Sequence, residues 1–187
     1  MVRNPSQTWG NVSEAGDAPL ILTAQLPRDL HARFTALRDT HFPPERNYLE
    51  AHVTLFHALP AMCEAELCSH LKRMAGEFAP VMGQVDGLMP LGGGTAIKLS
   101  SPDMLHLRDM IADHFHGMLT GQDRHRPALH VTIQNKVAVK EARALQTALA
   151  GTIEPRPFVF RGLALFRYRG GPWEAVKDFA FRGSGGA

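Results

Sequence analysis

The chain contains His52-Val53-Thr54-Leu55 and, 78 residues further on, His130-Val131-Thr132-Ile133, two copies of one order: histidine, apolar, threonine, apolar. Each copy lies in an apolar run that reads as a strand, Tyr48 to Leu59 and Pro127 to Val137. Successive strand side chains point to opposite faces. His52 and Thr54 therefore share a face, as do His130 and Thr132, while Val53, Leu55, Val131 and Ile133 turn the other way. At this chain's histidine and threonine content, chance supplies roughly half of one His-x-Thr triplet, and about a tenth once an apolar residue must follow both. Two copies point to a shared purpose.

Outward from the motifs, the two halves repeat one order. Pro19 to Leu26 reads as a buried strand closed by Pro27, followed by a helix with Leu30, Phe34, Leu37 and His41 on its apolar face and Arg33 and Arg38 off it, ending at Pro43-Pro44. After the first motif strand, Leu67, Leu71, Met74 and Phe78 mark a second helix. Val81 to Leu91 and Thr95 to Leu99 read as a hairpin across Gly92-Gly93-Gly94. Ser101-Pro102-Asp103 then opens a helix through Leu107, Ile111, Phe115 and Met118. The second motif strand follows, then a helix through Ala142, Leu145 and Leu149 to Gly151, and strands Phe158 to Tyr168 and Trp173 to Phe181. Arg46 precedes His52 by six residues and Arg124 precedes His130 by six.

This pattern predicts an internal duplication, with repeat units of about 19–94 and 95–182 in one α+β domain, flanked by a flexible segment over 1–18 and a flexible tail over 183–187. Two units that each expose a sheet face pack most simply about a pseudo-twofold axis, with the His-Thr pairs facing across a central cleft.

Composition narrows the classes. At 187 residues and 44% hydrophobic content the chain can bury a real core, and its net charge of +2 lacks the Lys/Arg blocks of a nucleic-acid coat. Cys63 and Cys68 form neither a disulfide framework nor a zinc motif. His114 and His116 stand two apart on a helix and so point in different directions, unlike a chelating pair four apart. No signal peptide is legible and no apolar run spans a bilayer, so a cytoplasmic protein is expected.

Two imidazoles suit phosphate-ester chemistry. With an unperturbed pKa near 6.5, one can be neutral and the other charged close to neutral pH, as a base and an acid must be. Thr54 and Thr132 would each bring a hydroxyl to nonbridging phosphate oxygens. Arg46, Arg124 and Arg126 could contact phosphate from the loops, and Tyr48, Phe56, Tyr168 and Trp173 could stack a base. Gln134 continues the His130 and Thr132 face, whereas strict alternation puts His57 opposite His52 and outside the site.

Over residues 19 to 182 the chain resembles the two-histidine phosphoesterase superfamily, and more narrowly its bacterial 2′-5′ RNA ligase-like and RNA cyclic phosphodiesterase branch. The resemblance rests on the motif pair and its order. It implies a bilobal, internally duplicated α+β fold with two small, mainly antiparallel sheets flanked by helices. The implied activity is metal-independent opening of a 2′,3′-cyclic phosphate on an RNA end or small nucleotide, or the reverse 2′-5′ ligation, with no cofactor and with a monomer as the working unit. The catalytic residues carried over are His52, Thr54, His130 and Thr132, with His52 as acid and His130 as base. A noncatalytic binder of RNA ends or nucleotides that kept the cleft is the alternative.

Overall fold

The computed structural model describes residues 18–184, so nearly all of the expected flexible segment, 1–17, and residues 185–187 of the expected tail lie outside the described residues. In chain order the elements are β1 (Leu20–Gln25), α1 (Arg28–His41), β2 (Val53–Leu59), α2 (Glu64–Glu77), β3 (Val81–Pro90), β4 (Thr95–Ser100), α3 (Pro102–His114), β5 (His130–Gln134), α4 (Val139–Ala148), β6 (Arg156–Phe160), β7 (Gly162–Arg167) and β8 (Glu174–Ala180). They build two four-stranded sheets, β2-β1-β7-β8 and β5-β4-β3-β6, in which every pairing is antiparallel.

Local chemistry accounts for the boundaries. Ser101 caps α3, its hydroxyl accepting the Met104 N–H at 3.1 Å, with Pro102 in the first helical turn. Gly92 turns the β3–β4 hairpin at φ 75° and Gly151 follows α4 at φ 77°, backbone that a side chain would strain. In α1, Leu30 and Phe34 are 1% exposed, and the next position on that face, eight residues from Leu30, is Arg38 at 4%. The helix therefore buries a guanidinium that the sequence reading placed off its apolar face.

Sheet membership departs from the simple repeat. Strand β3 ends the first repeat but pairs with β4, while β7 and β8 of the second repeat complete the sheet that β1 and β2 begin. Each sheet thus draws strands from both 19–94 and 95–182, so the two segments interlock across the two sheets. Phe158 to Tyr168, expected as one strand, is two: it breaks at Arg161 as the chain passes from one sheet to the other. The change of parity between buried Phe158 and Phe160 and buried Leu163 and Leu165 is the trace of that crossing. One contiguous apolar cluster runs from Leu20 and Leu22 through Ile97, Val131 and Phe160 to Phe179. Each large side chain fully buried in it contributes about 1.5–3 kcal/mol.

Candidate active site

Both motif strands are edge strands, β2 of one sheet and β5 of the other, and they lie beside each other where the sheets meet. The expected alternation holds. Val53, Leu55, Val131 and Ile133 are at most 1% exposed, while His52, Thr54, His130 and Thr132 are half-buried on the opposite side. An apolar anchor behind each polar residue fixes its direction.

The imidazoles are held alike. His52 Nδ1 lies 2.8 Å from the Glu50 carbonyl oxygen, and His130 Nδ1 lies 2.7 Å from that of Ala128, each two residues upstream. A carbonyl oxygen only accepts, so Nδ1 carries the proton in both rings. Each Nε2 is then left to exchange a proton, and acid and base differ only in whether Nε2 holds one. Burial drives the His52 pKa down to about 4, assisted by the positive charges of Arg38, His130 and His57 and opposed by the Glu50 hydrogen bond. Near pH 7 His52 is neutral, with an available Nε2 lone pair.

Two buried charges tie the motif strands together across the repeats. Arg38 Nε donates to Asn47 Oδ1 and to the Leu49 carbonyl, and Nη1 donates to the Thr132 carbonyl, all at 2.8 Å. Its guanidinium also lies 4.0 Å from the centroid of the Phe42 ring. One side chain thereby joins the loop feeding His52 to the strand bearing His130. In the other direction, Asp123 accepts the backbone N–H groups of His57 and Ala58, each at 2.9 Å, and lies 3.2 Å from His57 Nδ1. Desolvation works to raise the Asp123 pKa, but the bonds from His57 and Ala58 hold it below the usual carboxylate value. The sequence reading missed both residues.

His57 was excluded by strict alternation, and the structure corrects this. Thr54 pairs with Thr23 but Phe56 pairs with Leu22, so β2 carries an extra residue that inverts the alternation. Phe56 turns into the core and His57 returns to the side of Thr54, half-buried.

The remaining expectations divide. Phe56 is 0% exposed beneath the Arg108 guanidinium, 4.5 Å from its ring centroid, and is closed to a base. Gln134 is 4% exposed, with its amide oxygen 3.4 Å from the Thr95 hydroxyl, so it braces β4 against β5 instead of meeting substrate. Arg126 is paired with Asp109 and Arg124 Nε donates to Leu119 within its own loop. Arg46 lies 4.0 Å from Glu45, and exposed Tyr48 donates its hydroxyl to the Glu45 carbonyl. Tyr168 is half-buried, its backbone N–H bonded to Pro19. Trp173 does reach the site, with its ring centroid 4.6 Å from that of His52 and 5.5 Å from that of Phe166.

An open cleft of about 1370 Å³ begins at His52 and Trp173 and runs over Thr23, Ala164 and Ala175. Among the described residues no three His, Cys, Asp or Glu side chains are grouped to hold a metal ion, and no helix is long and apolar enough to cross a membrane.

Solved structures share this architecture. TT0787 of Thermus thermophilus matches with a TM-score of 0.60 at 18% identity, covering 89% of this chain and 100% of that one. E. coli LigT complexed with 3′-AMP matches with a TM-score of 0.58 at 17% identity, covering 88% of this chain and 98% of LigT. A further structure, described as a phosphoesterase, matches with a TM-score of 0.56 at 20% identity, covering 88% of this chain and 98% of that one. LigT has also been solved with NADP+ and with ATP. A search of curated protein sequences finds no match. The two-sheet fold is the one these solved structures share. The family model of the 2′-5′ RNA ligase superfamily matches residues 26–172, and the chain belongs to that superfamily. Membership supports a phosphoesterase- or ligase-type enzyme.

Proposed function

We propose that this protein opens 2′,3′-cyclic phosphates at RNA 3′ ends or on small nucleotides, using His52 and His130 as its proton-transfer pair. The observation that carries the reading is the matched hydrogen bond at each Nδ1, which leaves two Nε2 atoms on adjacent edge strands for one phosphate. LigT in complex with 3′-AMP, a nucleoside 3′-phosphate, supports a nucleotide ligand of this kind.

In the hydrolytic direction a water attacks phosphorus as one neutral imidazole takes its proton. One ribose oxygen leaves phosphorus and receives a proton from the other, charged imidazole, so that a phosphomonoester and a free hydroxyl result. Thr54 and Thr132 hydroxyls donate to the nonbridging oxygens as charge builds there. The low pKa of His52 suits it to be the base. His130 is then the acid, the reverse of the roles implied by resemblance alone. With a 5′-hydroxyl in place of water and each imidazole in the same role, the same groups would run 2′-5′ ligation, the 3′ oxygen leaving phosphorus and taking the proton.

The test is turnover of a cyclic-phosphate oligonucleotide and of adenosine 2′,3′-cyclic phosphate in the presence of chelator. His52→Ala and His130→Ala should each lower kcat by about 10³-fold or more, and the double variant should be hardly worse than either, because the pair acts as a unit. Full activity in either variant, or a strict divalent-metal requirement, refutes the reading. Binding without turnover in the unaltered protein would instead identify a noncatalytic binder.

A further inference from the structure

We propose that the cleft beside His52 is a subsite for a second phosphate group, attached on the 5′ side of the reacting nucleoside and held by Arg28 and Arg161. The proposal deepens the cyclic-phosphate reading above and rests on it for the placement of the first phosphate.

The cleft lies to one side of the proposed reaction centre: His52 lines it and His130 does not. At about 1370 Å³ it exceeds the range of roughly 300–1,000 Å³ usual for a single small ligand. Its floor includes the short side chains of Thr23, Ala164 and Ala175, with the Phe166 ring beside Ala175. Trp173 forms the wall next to His52, where an aromatic face can stack a base.

Charge in the cleft is unevenly committed. The Asp29 carboxylate is paired with Arg156, and Glu50 lies 3.4 Å from His31. Arg28 and Arg161 are exposed and line the same cleft, and among the described residues neither side chain makes a hydrogen bond or ion pair. Asp178 is the one lining carboxylate without such a partner among the described residues. Two open guanidiniums facing one carboxylate favour an anion, and a guanidinium fork fits phosphate oxygens.

Distance fits as well. Gln25 stands between His52, one residue ahead of β2, and Arg161, whose N–H bonds the Gln25 carbonyl. Two strand spacings therefore separate His52 from Arg161, roughly 10 Å. One nucleotide attached to the cyclic phosphate spans that gap.

The experiment compares kcat/KM for adenosine 2′,3′-cyclic phosphate, its 5′-phosphorylated form and the ApA dinucleotide ending in the same cyclic phosphate. At least one of the two substrates with a second phosphate should exceed the plain nucleoside by about tenfold. Gain by the 5′-monoester alone identifies a terminal phosphate as the ligand, and gain by the dinucleotide alone an internucleotide diester. In Arg28→Gln/Arg161→Gln that ratio should fall below about threefold. Equal kcat/KM for all three substrates, or a ratio unmoved in the double variant, overturns the subsite while leaving the cyclic-phosphate reading intact. If none of the three turns over, that parent reading fails and the subsite is judged by calorimetry on the same compounds. There, tenfold tighter binding of a second-phosphate compound supports it and equal binding overturns it.

Discussion

His52 shows how little chemistry a residue carries until its surroundings are specified. An exposed histidine would be partly charged near neutral pH, but burial, with Arg38, His130 and His57 adding positive charge, keeps this one neutral down to about pH 4. The linkage has a definite sign. In the unfolded chain His52 takes a proton as pH falls through about 6.5, while the folded state resists until about 4. Stability is therefore lost across that window. His52→Asn, which can keep a donor for the Glu50 carbonyl but does not titrate, should lose less stability than the unaltered protein between pH 6.5 and 4 in urea titrations. Parallel stability curves for the two proteins would show that His52 is not the titrating group.

At the scale of elements, the motif strands are positioned by parts distant in sequence. Helix α1 lies along β5, and its Arg38 holds Leu49 and Thr132 together, so it sets both the spacing of the motif strands and part of the field at His52. Arg38→Met keeps the apolar stem and removes the bonds and the charge. Orphaned buried acceptors cost about 1–3 kcal/mol each, and a loss of roughly 2–4 kcal/mol is expected in denaturant unfolding. The more specific outcome concerns pH: with His52 as the base proposed above, the acid limb of kcat/KM should move upward from near pH 4 as the positive charge is removed. A destabilised variant with an unmoved acid limb would confine Arg38 to packing. The bulge in β2 belongs to this scale too. It sends Phe56 inward and His57 outward, an inversion that alternation counting cannot anticipate because the extra residue is defined only against β1.

For the whole molecule, the exchange of strands matters most. Because β3 serves the second sheet and β7 and β8 serve the first, neither repeat can close its own sheet. Residues 19–94 and 95–182 expressed separately should remain unfolded by circular dichroism, and the full chain should unfold in one cooperative transition; an independently folded half would contradict this interlocking. The His-x-Thr pairs, their apolar backing and the helices were legible from the chain alone, because period two, period 3.6 and turn chemistry are local properties. Helix α3 even announced its start through Ser101 and Pro102. Tertiary structure decided which sheet each later strand joined, that Arg38 and Asp123 would be buried across the seam, and that Arg28 and Arg161 would stand open in a cleft while Arg126 was taken by Asp109. The reason is physical: an arginine's role depends on the partners within reach of its side chain, and those partners come from the other half of the chain.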